Sequence, residues 1–242
     1  MMRRSLTVLS LLALAAAPLA AQGKAADPDK KVEGGALPAG WEGRTDNANA
    51  KLSDAKFTAA AGGGYIVTSR PAAIYWRTKD NVKGPFVATA TIHQLKAPAH
   101  PEAFGIFFMG RSLTTADQNY AYLLVRGDGK VMVKHRAGKD VHTIIDWTDN
   151  PAVGKQDANG ASANTLTVDA SRSDSLRLLV NGKQVAAIEG SHLGGTDGIV
   201  GLRVNHNLAV HVAELTITPK KAVVGKAPAA RKSAAKAAKA KA

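Results

Sequence analysis

The 242-residue chain has no cysteine. That excludes disulfides, thiolate metal centres and cysteine nucleophiles, so stability has to come from a sizeable core rather than from cross-links. Aromatic residues make up only 5% of the chain. Its seven histidines are His93, His100, His135, His142, His192, His206 and His211, and none stands in H-x-H or H-E-x-x-H spacing. They read as turn or surface histidines, and a metal at His206 or His211 would need partners from elsewhere in the chain. No serine lies in a G-x-S-x-G context. Gly62-Gly63-Gly64 lacks the Lys-Ser/Thr of a phosphate-binding loop and reads as a turn. From Trp41 to Ile217 no stretch repeats its apolar residues at the helical period, which argues against βαβ units.

Acidic residues are also scarce, 19 against 32 Lys and Arg, but the excess is local. Arg3 and Arg4 lie at the start. Lys220, Lys221, Lys226, Arg231, Lys232, Lys236, Lys239 and Lys241 lie at the end, with no acid among them. Those ten leave 22 positives against all 19 acids, so the middle of the chain carries only +3. The basicity belongs to a tail, residues 219–242. Its Lys/Ala/Pro composition predicts disorder and suits it to bind a polyanion.

The first residues have the layout of a secretory signal peptide. Met1-Met2-Arg3-Arg4 is basic, Leu6 to Ala17 is apolar, and Pro18-Leu19-Ala20-Ala21 offers small residues for cleavage after Ala21, with Gly23 the alternative. The apolar run is too short to span a bilayer, and no second run of spanning length follows. This predicts a periplasmic or extracellular protein with a signal peptide over 1–21 and a flexible leader over 22–40. A folded domain over 41–218 precedes the tail.

Within that domain, short alternating runs are broken by turn residues. Phe57–Ala60, Tyr65–Thr68, Ala73–Arg77, Pro85–Leu95, Ala103–Arg111, Asn119–Arg126 and Val131–Arg136 are candidate strands. So are Val141–Trp147, Asn164–Asp169, Ser175–Val180, Gln184–Glu189, Ile199–Val204 and Leu208–Ile217. Asn181-Gly182 supplies the positive φ of a two-residue hairpin. In the run from Phe86, the residues Phe86, Ala88, Ala90 and Ile92 point to a core. In the run from Phe104, the residues Phe104, Ile106 and Phe108 do so, while Gly105, Phe107, Met109 and Arg111 form a mixed outer face. The reading is an all-β, two-sheet antiparallel sandwich or barrel.

The stretches Asn164-Thr-Leu-Thr-Val168, Ser175-Leu-Arg-Leu-Leu-Val-Asn-Gly-Lys-Gln-Val185 and Gly198-Ile-Val-Gly-Leu202 resemble consecutive strands of concanavalin A-like lectin/glucanase sandwiches. Phe104-Gly-Ile-Phe-Phe108 and Tyr120–Arg126 are similar to the middle strands of the 3-keto-disaccharide hydrolase domain, a branch of that superfamily. The resemblance implies a jelly-roll sandwich over about residues 41–218. It carries over no catalytic residue. The retaining glucanases of the superfamily use an E-x-D-x-x-E strand. None of Glu33, Glu42, Glu102, Glu189 and Glu214 has an Asp two positions on, so that strand is absent.

Sugar recognition needs an aromatic platform and planar polar groups. Trp41, Trp76, Trp147, Tyr75, Tyr120 and Tyr122 are the aromatic candidates. The set Trp76, Arg77, Arg111, Tyr122, Arg126, Asn205 and His206 is the expected ligand site. No metal site and no cofactor are expected. A calcium ion from Asp146, Asp149, Asn150, Asp157 and Asn159 lacks the usual Asp-x-Asp spacing. Three functions stand in order. The first is a non-catalytic secreted binder of carbohydrate or another envelope component. The second is a glycoside hydrolase of the 3-keto-disaccharide type. The third is an envelope scaffold whose tail binds a polyanion.

Overall fold

The computed structural model describes residues 36–189 and 194–223. The expected signal peptide lies outside them, as do most of the leader and of the basic tail. Among the described residues fourteen strands follow one another: β1 (Trp41–Thr45), β2 (Lys56–Ala59), β3 (Tyr65–Ser69), β4 (Ala73–Val82), β5 (Phe86–Gln94), β6 (Ala103–Arg111) and β7 (Asn119–Arg126). Then come β8 (Lys130–Ala137), β9 (Asp140–Asp149), β10 (Ser162–Asp169), β11 (Ser175–Val180), β12 (Lys183–Glu189), β13 (Gly198–Val204) and β14 (Leu208–Pro219). They form two seven-stranded sheets. The front sheet runs β1-β4-β13-β6-β7-β8-β9 and the back sheet β12-β11-β10-β5-β14-β3-β2. Within both sheets the strands pair antiparallel, as alternation and short turns require. No helix among the described residues is long and apolar enough to cross a membrane.

The alternating residues form the core as their period demands. Phe86, Ala88, Ala90 and Ile92 of the back sheet pack against Phe104, Ile106 and Phe108 of the front sheet, all essentially fully buried. Each large side chain buried there contributes about 1.5–3 kcal/mol. At the β11–β12 hairpin, Asn181 and Gly182 have φ of 50° and 76°, the left-handed pair that a two-residue turn needs. Asn181 does more than turn the chain. Its Oδ1 accepts from the Thr165 N–H, and its Nδ2 donates to Ala152 O. On the outer face of the back sheet, Thr89 pairs with Thr167 and Thr91 with Thr165 through their hydroxyls.

The outer face of the front sheet differs from the sequence reading. Phe107, expected on a mixed outer face, is fully buried. It sits in a second apolar cluster on the outside of the front sheet with Ile74, Trp76, Tyr120, Tyr122, Leu124 and Met132. The β6–β7 loop folds back to cover them, inserting Leu113, and Arg44 holds that loop by donating to Leu113 O and Thr115 O. The Lys220 N–H donates to Pro85 O, and Val223 pairs with Arg172 while its N–H donates to Ser171 O. The chain past β14 therefore still finds backbone acceptors as far as Val223.

Candidate functional site

The structure distributes the seven expected ligand residues over four places. Trp76 is 2% exposed and meets Phe107 edge-on at 6.5 Å, so its ring is packed rather than presented. Tyr122 is buried beneath the Arg203 guanidinium, 4.6 Å from its ring centre. Both belong to the covered outer face of the front sheet. Arg77 lies over Trp41, bonds Asp80 at 2.5 Å and donates to Leu215 O at 3.2 Å, clamping β4 to the opposite sheet. Arg111, Arg126, Asn205 and His206 lie at the two ends of the sandwich.

At one end the sheets part between β9 and β12, leaving a cleft of about 510 Å³. Met109, Ala121, Ile144 and Ile188 give it apolar walls, and Arg111, Asn119, His135 and His142 complete its lining. A bulge in β6 shapes this end. Met109 has a φ of 60°, and the β6–β7 register shifts between Phe108 and Arg111. His135 and His142 face each other across the β8–β9 hairpin, rings stacked with centres 6.0 Å apart. The His135 Nε2–H donates to Asn119 Oδ1 at 3.0 Å. Burial, and then the neighbouring His142, hold the His135 imidazole below its ordinary pKa, which favours the neutral ring. The ligand set expected from sequence includes Arg111 but neither of these two histidines. The signal was available: Ala137 pairs with Asp140 across a Gly138-Lys139 turn, and counting outward puts His135 opposite His142.

At the other end, Arg126 lies over the half-buried Trp147, 4.6 Å from its ring centre, and holds both carboxylate oxygens of Asp128. That pairing keeps the Asp128 carboxyl below the usual range. His206, read from sequence as a turn or surface histidine, sits 2.9 Å from the buried carboxylate of Glu102, which His100 also approaches at 2.9 Å. Asn205, the preceding residue, has its Oδ1 buried without a hydrogen-bond partner. His100, Glu102 and His206 are the one group of His, Asp and Glu donors among the described residues that lie close enough together to hold a metal ion. Of the residues weighed for calcium, Asp146, Asp149, Asn150 and Asp157 have other partners, Asp146 accepting from the Trp147 N–H. Asp149 pairs with Lys130, while Asn150 and Asp157 accept backbone N–H groups of their own turns.

The two seven-stranded antiparallel sheets define a concanavalin A-like jelly-roll sandwich. Among solved structures the chain is similar to the Bacteroides ovatus mixed-linkage glucan GH16 protein in complex with its G4G4G3G product, with a TM-score of 0.53 and 9% identity over 73% of this chain and 94% of that one. It is also similar to the Bacillus licheniformis β-glucanase, with a TM-score of 0.51 and 12% identity over 78% of this chain and 96% of that one. At such identities the likeness is one of fold. No family model matches the sequence, and no curated protein matches it.

Proposed function

We propose that this protein is a secreted, non-catalytic β-sandwich that binds carbohydrate or another envelope polymer in the cleft between β9 and β12. The observation that carries the reading is the composition of that cleft. Sugars present apolar C–H faces and paired hydroxyls. Met109, Ile144 and Ile188 supply surface for the first, and Arg111, Asn119, His135 and His142 supply donors and acceptors for the second. Its volume of about 510 Å³ falls in the range of small-ligand sites. The fold shared with two glucanases supports a glycan over other small molecules, as an analogy of fold. The absence of an E-x-D-x-x-E strand supports binding without hydrolysis of ordinary β-glucans.

The test is a glycan array followed by calorimetry on the wild type, Arg111→Ala and Ile144→Asp. A glycan that binds the wild type and loses about tenfold or more in affinity in each variant supports the reading, since removing a charged hydrogen bond costs about 1.5–3 kcal/mol. Binding unchanged by both variants counts against the cleft. The hydrolase reading of the 3-keto-disaccharide type has one support here, the position of the His135 imidazole in the wall of the cleft, since histidine is the commonest general base. Turnover of a 3-keto disaccharide that disappears in His135→Gln would favour it. The basic tail is proposed as a separate polyanion-binding arm.

A further inference from the structure

Three donor side chains meet at the end of the sandwich opposite the cleft. Glu102 stands just before β6, His100 two residues earlier in the β5–β6 loop, and His206 in the turn between β13 and β14. Adjacent strands bring them together: β13 lies beside β6, and the Asn205 N–H donates to Ala103 O at 2.9 Å, pinning the turn against the start of β6. Pro101 fixes the backbone between His100 and Glu102. The His100 Nε2 and His206 Nδ1 each lie 2.9 Å from the same oxygen, Glu102 Oε1, and the two rings stand edge-to-face at 5.2 Å.

Glu102 is 6% exposed. The side chains that face its carboxylate as ion-pair partners are the two imidazoles, and no Lys or Arg among the described residues lies within 4.0 Å of it. A buried carboxylate is either paired or coordinated to a cation. We propose that His100 Nε2, His206 Nδ1 and Glu102 Oε1 form a binding site for a divalent first-row transition ion of the Zn²⁺ class. All three donor atoms lie within 4.8 Å of one another. Ligand bonds of about 2.0–2.2 Å put donors on one ion roughly 3–3.5 Å apart, so small rotations of the two half-exposed imidazoles close the set around an ion. Two nitrogens and one carboxylate oxygen suit borderline ions, whereas Ca²⁺ takes about six to eight oxygens. Three protein ligands leave coordination positions open. Beside the donors lies a small cleft of about 150 Å³, lined by His100 and Glu102 together with Gln94, Asp128 and Gln156. This site is independent of the glycan cleft. Glu102 and Arg111 bracket β6, nine residues long, which separates them by roughly 25–30 Å.

The experiment is calorimetric titration of the untagged protein with Zn²⁺ and with Ca²⁺, together with visible absorption of the Co²⁺ form. One equivalent of Zn²⁺ is expected to bind, to raise the melting temperature, and to be replaceable by Co²⁺ with d–d bands of nitrogen and oxygen ligation. His100→Gln and His206→Gln are each expected to weaken Zn²⁺ binding by about tenfold or more. These two half-exposed positions carry the test because a change at buried Glu102 endangers the fold. His211→Gln, whose ring pairs with His93 at 5.5 Å elsewhere on the surface, is expected to leave Zn²⁺ binding unchanged. No Zn²⁺ binding, a preference for Ca²⁺, binding unaltered in both His100→Gln and His206→Gln, or equal loss in His211→Gln overturns the proposal.

Discussion

Arg203 donates both terminal nitrogens to the carboxylate of Asp46, Nη1 to Oδ1 at 3.0 Å and Nη2 to Oδ2 at 2.5 Å, joining β13 to the end of β1 across β4. Arg203 is 5% exposed, lies over Tyr122 and also donates to the Tyr120 hydroxyl. Burial alone would raise the Asp46 carboxyl, but Arg203, Arg136 and Arg44 outweigh it and hold the group below its ordinary value. Its contribution to stability is therefore present above the usual carboxylate range and lost as the pH falls through the lowered folded value.

Breaking this pair from one side leaves a buried charge without a partner. Asp46→Asn is expected to destabilise the protein by about 3 kcal/mol, at the low end for buried pairs because Asp46 is partly exposed. The double variant Asp46→Asn/Arg203→Met is expected to lose less than the sum of the two single changes by about 1 kcal/mol or more. Urea unfolding of the four proteins measures this. Additive losses would show that the pair does not act as a unit.

Gly105 marks a place where the sheet admits no side chain. A Cβ there would stand 2.0 Å from Leu123 O, a backbone atom fixed by the β6–β7 ladder. Gly105→Ala is expected to cost about 2–3 kcal/mol through overpacking. Gly62→Ala, where nothing lies within 4 Å, is expected to change stability by less than about 0.5 kcal/mol. Equal effects at the two positions would refute the steric account.

The half-buried His135 links stability to mild acid. Its folded pKa is depressed, so the neutral ring favours the folded state. The stability it contributes is whole above about pH 6.5 and declines as the pH falls from there toward the lowered folded value. Melting temperatures recorded from pH 8 to pH 5 are expected to fall less steeply for His135→Gln than for the wild type. Parallel curves would remove His135 from the explanation.

The end of the folded body can be located by truncation. Removing residues 224–242 is expected to leave the melting temperature unchanged. Removing 219–242 is expected to lower it, because the Lys220 and Val223 backbone bonds to Pro85 and Ser171 go with it. The shorter deletion also removes Lys226, Arg231, Lys232, Lys236, Lys239 and Lys241. On the polyanion proposal it weakens heparin binding and flattens its salt dependence by about 0.7–0.9 for each anionic group that the protein no longer neutralises. Full heparin affinity after that deletion would exclude the tail as the binding element.

Local alternation was enough to place most of this fold. Side chains two residues apart share a face whatever the rest of the chain does, so Phe86, Ala88, Ala90 and Ile92 declared a core before any partner was known. Asn181-Gly182 declared its hairpin for an equally local reason, the left-handed backbone that few other residues accept. β1 escaped notice because Trp41-Glu42-Gly43-Arg44-Thr45 is an edge strand with one large apolar residue and no alternation to read. The fate of the front sheet's outer face was not local either. Phe107 and Trp76 look like an exposed platform until Arg44 draws the Leu113 loop over them. Sequence by itself determined the layers, the turns and the absence of cysteine and of an E-x-D-x-x-E strand, since each follows from residues near one another in the chain. Only the tertiary structure decided which polar residues meet. His206 gains Glu102 and His100, and Arg203 gains Asp46, because sheet order sets β13 beside β6 and one strand from β1, and that order is settled by long-range pairing that no local pattern encodes.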